Sequence, residues 1–123
     1  MPTLQEVLDK LNRTFSFWKE DDGPATTAND RGVCLDYPLH KIAIWGDVAA
    51  AEVLLDHGAD INARGEDDDT PLHRAIMGGH AEMVSLLLSR GANAEQRDRY
   101  GSSSRESAMS SGNDGIIGVM KRH

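Results

Sequence analysis

Cysteine is nearly missing from this chain: Cys34 is the only one among 123 residues, so no internal disulfide can form. Aromatic residues are scarce as well, at six (Phe15, Phe17, Trp18, Tyr37, Trp45 and Tyr100), which leaves little material for an aromatic-lined cofactor pocket. No apolar run approaches the roughly 18 residues of a membrane span, and none follows a basic start as the core of a signal peptide does. The expectation is a cytoplasmic protein with no cofactor and no membrane partner. Basic residues are outnumbered, 13 Lys and Arg against 20 Asp and Glu, for a net charge of −7 and a pI near 5.1. Phosphate backbones and anionic lipid surfaces repel most of such a molecule, which argues against nucleic acid as a ligand, whereas a basic protein is drawn in.

What is present is a sentence written twice. "YPLHKIAIWGDVAAAEVLLDHGA" (37–59) returns as "TPLHRAIMGGHAEMVSLLLSRGA" (70–92). The overlay pairs Pro38 with Pro71, Leu39 with Leu72, His40 with His73, Gly46 with Gly79, Leu54 and Leu55 with Leu87 and Leu88, and Gly58 with Gly91, always 33 residues apart. Asn29, Arg31 and Gly32 likewise fall on Asn62, Arg64 and Gly65, and Arg97 extends the arginine series.

Each unit reads as two short helices. Thr70 can accept a backbone N–H as an N-cap, Pro71 sits where a helix has no donor to lose, and Gly78 and Gly79 end the first helix about two turns later. In the second helix Met83, Val84, Leu86, Leu87 and Leu88 make an apolar face too broad for a lone amphipathic helix, so it must be buried on more than one side. Gly91 supplies the left-handed stop. A unit of this kind cannot cover its own apolar face, so copies stack and the end copies are modified. A degraded third copy follows, with Ser103 and Ser104 where Thr and Pro stood, Ala108 under Ala75, Gly112 under Gly79, and Ile116, Ile117 and Val119 under Met83, Val84 and Leu86. At the other end Thr3 and Glu6 are placed as a capping box, and Leu4, Val7, Leu8 and Leu11 share one helical face. Between that helix and the first unit, "SFWKEDDGPATTANDRG" reads as an irregular connector, with Phe15, Phe17 and Trp18 closing the core.

Thr70, Pro71, Leu72, His73, Arg74 and Ala75 spell the T-P-L-H-x-A signature, so the sequence resembles the ankyrin-repeat family. The resemblance covers residues 29–123, closely for two repeats and loosely for the third, where Arg105 and Glu106 replace Leu and His; Tyr37 replaces the usual Thr. It implies an all-α solenoid of stacked helix-turn-helix units with finger loops. One domain over 1–123 is expected, divided into an N-terminal cap and connector (1–28), repeat 1 (32–64), repeat 2 (65–97) and a C-terminal capping repeat (98–123).

Catalysis and metal binding find no support in the pattern. The family's signature His bonds within and between turns, which gives His40 and His73 a structural role. Four consecutive acids, Glu66 to Asp69, lack the alternate-position spacing and glycine bend of a calcium loop and read as a solvated acidic finger. Ser102, Ser103 and Ser104 lie in no nucleophile elbow, and Cys34 has only Arg31 nearby to lower its pKa. The chain is expected not to be an enzyme.

In ankyrin architecture the finger tips and the outward positions of each first helix line a concave face. The resemblance therefore marks Val33 and Asp36 on the first finger, Glu66, Asp67 and Asp69 on the second, Arg99 and Tyr100 on the third, and Ile44, Trp45 and Met77 on the helices as protein-binding residues. Apolar residues flanked by acids suit a hot-spot core with a charged rim, although Trp45 packing on the connector is the alternative. Because both ends read as caps, binding is expected to be the whole activity, by a chain that is a monomer on its own and meets a basic protein partner. Short bacterial ankyrin proteins of this look are similar to immunity proteins, which implies an antagonist that occludes a toxin, for example a nuclease. The alternative is an adaptor that recruits a cellular enzyme or regulator.

Overall fold

The 33-residue spacing persists in three dimensions. A computed structural model describes residues 2–13 and 37–123; Val33, Cys34, Asp36 and the connector with Phe15, Phe17 and Trp18 lie outside the described residues. Among the described residues there are seven α-helices: α1 (Leu4–Arg13), α2 (Pro38–Trp45), α3 (Val48–Asp56), α4 (Pro71–Met77), α5 (Ala81–Ser89), α6 (Ser104–Ser110) and α7 (Asp114–Arg122). Pro38, Pro71 and Ser104 open the first helix of successive pairs, and Val48, Ala81 and Asp114 open the second, both at the 33-residue interval. Helices α2, α4 and α6 pack side by side as an inner layer, α3, α5 and α7 form the outer layer, and α1 closes the end against α3.

The helix starts differ in an instructive way. At α4 the capping box is complete: Thr70 Oγ1 accepts the His73 N–H at 3.4 Å, and His73 Nδ1 accepts the Thr70 N–H at 3.1 Å. Tyr37 makes no side-chain cap bond at α2, so only the return half survives, Tyr37 N–H to His40 Nδ1 at 3.2 Å. The Tyr37 ring instead lies over the His40 imidazole, with centroids 6.0 Å apart. Ser103 restores the cap at α6 by accepting the Glu106 N–H at 3.1 Å. At α1, Thr3 Oγ1 accepts the Glu6 N–H at 3.1 Å, but the Glu6 carboxylate reaches the Thr3 hydroxyl and not its backbone, so the box expected from the sequence is half made.

Every helix pair sends its apolar side into one core. Leu8 and Leu11 of α1, Leu39 and Ile42 of α2, Leu54 of α3, Leu72 of α4, Met83 and Leu87 of α5, and Ile116 and Met120 of α7 are fully buried. Each such side chain contributes about 1.5–3 kcal/mol relative to exposure. The degraded third unit therefore packs as a true member of the stack. Its Arg105 replaces Leu by turning to the edge, where it donates to Glu95 and to the Met120 carbonyl.

Hydrogen bonds join the units in matching register. A backbone N–H can only donate, so His40 Nδ1 and His73 Nδ1 are acceptors and the proton of each ring sits on Nε2. From there His40 donates to the Asp69 carbonyl and His73 to the Ser102 carbonyl, both at 3.0 Å and both one unit further on. A second ladder comes from the residues that precede the outer helices. Asp47 accepts from Lys10 Nζ at 3.0 Å, His80 Nε2 donates to the Ile44 carbonyl at 2.9 Å, and Asn113 Nδ2 donates to the Gly79 carbonyl at 3.5 Å. The His80 ring occupies the room left by two glycines: a Cβ at Gly46 would lie 2.5 Å from it, and one at Gly78 would lie 2.6 Å away.

Candidate protein-binding face

Two finger loops rise from the inner layer. In the second finger Gly65 donates to the Asp69 carbonyl at 2.8 Å, closing a loop whose tip is a single 3₁₀ turn, Glu66–Asp68. Asp67 and Asp68 both take left-handed backbone there, with φ of 60° and 59°, a region that Asp tolerates better than most residues. The third finger is a tight hairpin in which Arg97 bridges to Ser103. Asp98 organises it: its Oδ1 accepts the N–H groups of Tyr100 at 2.9 Å and Ser102 at 3.0 Å. The fingers are bound to each other, since the Arg99 N–H donates to the Asp67 carbonyl at 2.7 Å and Arg64 donates to the Arg97 carbonyl at 2.8 Å.

Between these fingers and the helices beneath them lies a cavity of about 230 Å³. Asp67 and Asp69 form its wall on one finger, Asp98 and Tyr100 its wall on the other, and His73, Met77 and Ser107 its helical floor. Met77 and Tyr100 are exposed by 69% and 73%, far more than a large apolar side chain that serves the core. At about 230 Å³ the space is smaller than the roughly 300–1,000 Å³ of small-molecule sites and is of a size to take one long side chain.

The residues marked from the sequence divide into groups. Asp67, Asp69, Met77 and Tyr100 come together around the cavity. Arg99 stands at its rim, 3.4 Å from the Asp67 carboxylate, and Glu66 is exposed at the tip of the second finger. Asp69 departs from the solvated acidic finger expected for it. It is only 7% exposed and forms a short ion pair with the buried Arg74 guanidinium. Isolated burial of that carboxylate would be costly, and Arg74, at the variable position of the signature, removes the cost. Ile44 and Trp45 are not brought to the cavity. Ile44 is half-buried and gives its carbonyl to His80, while Trp45 packs against the core beneath the Lys10 ammonium, 5.3 Å from the ring centroid.

Asp98 and Ser107 were missed in the sequence. A signal for Asp98 existed, because Asp three residues before Gly101 is a turn-forming arrangement in which the carboxylate takes the following N–H groups. Ser107 carried none. Among the described residues no group of three or more His, Cys, Asp or Glu side chains converges as metal ligands would, and no helix is long and apolar enough to cross a membrane.

Residues 39–88, which span both helix pairs of the two clear copies, match the family model of ankyrin repeats in many copies. These residues are ankyrin repeats. The fold is accordingly an all-α ankyrin solenoid, and ankyrin repeats are, as a family, modules of protein–protein interaction that are typically non-enzymatic. Comparison with curated proteins returned no match. Within the ankyrin frame the cavity lies on the side where fingers and first helices meet, and Met77 and Tyr100 stand exposed there.

Proposed function

We propose that this ankyrin protein is an antagonist that binds a basic protein through the finger face and works by covering that partner's active surface, as an immunity protein covers a toxin such as a nuclease. The observation that supports the reading is the pairing of exposed Met77 and Tyr100 with the carboxylates of Asp67 and Asp98 around one cavity. Such a group offers buried contact area at its centre and charge at its rim, the division of labour in which apolar anchors slow dissociation and rim charges speed encounter. The net charge of −7 adds a long-range pull toward a positive surface.

The test is capture of the partner from the source cell by the wild-type chain beside an Asp67→Lys, Tyr100→Ala variant that melts at the same temperature. One basic protein held by the wild type alone, whose own activity stops when the ankyrin chain is added, is the expected result. Several partners, or one held equally by both chains, would favour an adaptor that works through another surface. In the kinetics, replacing Glu66 and Asp67 with Ser should mainly slow association and flatten its salt dependence, while Tyr100→Ala should mainly speed dissociation. Unchanged association in the acid variant would refute steering.

A further inference from the structure

We propose that the cavity between the fingers receives the side chain of one arginine of the partner, its stem lying on Met77 and Tyr100 and its guanidinium meeting Asp98 and Asp67. The inference rests on the finger-face reading and specifies what enters there. Its argument starts from the walls, which combine an exposed thioether and an exposed phenol ring with carboxylates. A ligand that satisfies both needs a long apolar stem and a cationic head, and the volume admits one such chain. Arginine fits better than lysine because its planar cation stacks on an aromatic face and forks onto a carboxylate, whereas an ammonium is a compact, strongly hydrated point charge.

The charges around the cavity divide into committed and available. Asp69 is committed to the buried Arg74 behind the finger wall. Asp98 uses Oδ1 for its two backbone donors, and among the described residues its Oδ2 takes no hydrogen bond. Asp67 holds Arg99 at 3.4 Å, but both side chains are well exposed, at 41% and 65%. An exposed pair of this kind contributes little to stability and is readily exchanged for an incoming guanidinium. Arg99 thus marks, from within the chain, the class of ion that this rim accepts.

The experiment uses the full chain and three probes, the N-acetyl amides of arginine, lysine and citrulline, with the Met77 methyl and Tyr100 ring followed by NMR. Arginine should produce saturable shifts confined to the finger face, lysine weaker ones, and citrulline, the same shape without the charge, none. Asp67→Asn with Asp98→Asn keeps the left-handed turn and the Oδ1 acceptor while removing both charges, and should weaken arginine binding by roughly tenfold or more. Citrulline binding as well as arginine, lysine binding as well as arginine, or an arginine response that survives the double substitution would overturn the assignment. No response to arginine would overturn it too. If finger-face substitutions release the protein partner while no probe binds, the binding face stands and the arginine pocket falls. If arginine binds but the partner is indifferent to the same substitutions, the pocket stands and the face is not where that partner sits.

Discussion

Asp68 shows what a single side chain costs when the backbone beneath it suits glycine. Its φ of 59° falls at the position that Gly101 fills one unit later with φ 84°. An L-residue in that region loses roughly 1–2 kcal/mol, somewhat less for Asp, whereas glycine costs extra chain entropy on folding. Asp68→Gly should therefore stabilise the protein by about 0.5–1 kcal/mol in urea unfolding. A loss of stability would mean that the Asp68 side chain contributes more than its backbone costs. Asp47 offers a pH test. Burial pushes its carboxyl up, but the Ala50 N–H and the hydrogen bond and charge of Lys10 outweigh that and hold it below the ordinary value of 3.8. A carboxyl depressed in the folded state stabilises it above that ordinary value and loses the contribution as pH falls through the lowered one. The stability gap between wild type and Asp47→Asn should thus be largest near neutral pH and shrink in acid below about 4, and Lys10→Met should flatten it.

At the scale of elements, the helices were legible and their joints were not. Pro38, Pro71, Gly46, Gly79 and Gly91 punctuate the chain whatever surrounds them, because proline and left-handed glycine act through their own backbone. The joint residues Asp47, His80 and Asn113 occupy one structural position with three different chemistries, so comparing identities between copies passes over them. Asp69 was opaque for a related reason. Which of four consecutive acids turns inward is decided by Arg74, a turn of helix away. Trp45 depended on α1, whose distance along the sequence hid Lys10 from it. The joints can be weighed by paired substitutions. Gly46→Ala puts a Cβ at φ +76° into the His80 ring and should cost more than about 2 kcal/mol, whereas Gly58→Ala, at φ +88° in open space, should cost only the backbone strain of about 1–2 kcal/mol. Equal losses in thermal unfolding would show that the His80 ring moves aside freely.

The whole molecule is a stack in which each unit leans on its neighbours, so damage at one end should be felt throughout. Ile116 of α7 is fully buried, and Ile116→Ala should cost about 2–5 kcal/mol, lowering a single unfolding transition seen equally by circular dichroism and by tryptophan fluorescence. Two separate transitions would mean that the last unit melts alone. The finger face depends on the same stack, because the hairpin that carries Tyr100 is held by His73 from the unit before it. That bond ends on a backbone carbonyl, as does the one from His40 to Asp69, an acceptor that every residue type offers. Carbonyl fittings of this sort permit growth by copying: a second copy of residues 65–97 inserted in frame should lengthen the stack by one module and add another finger to its finger face.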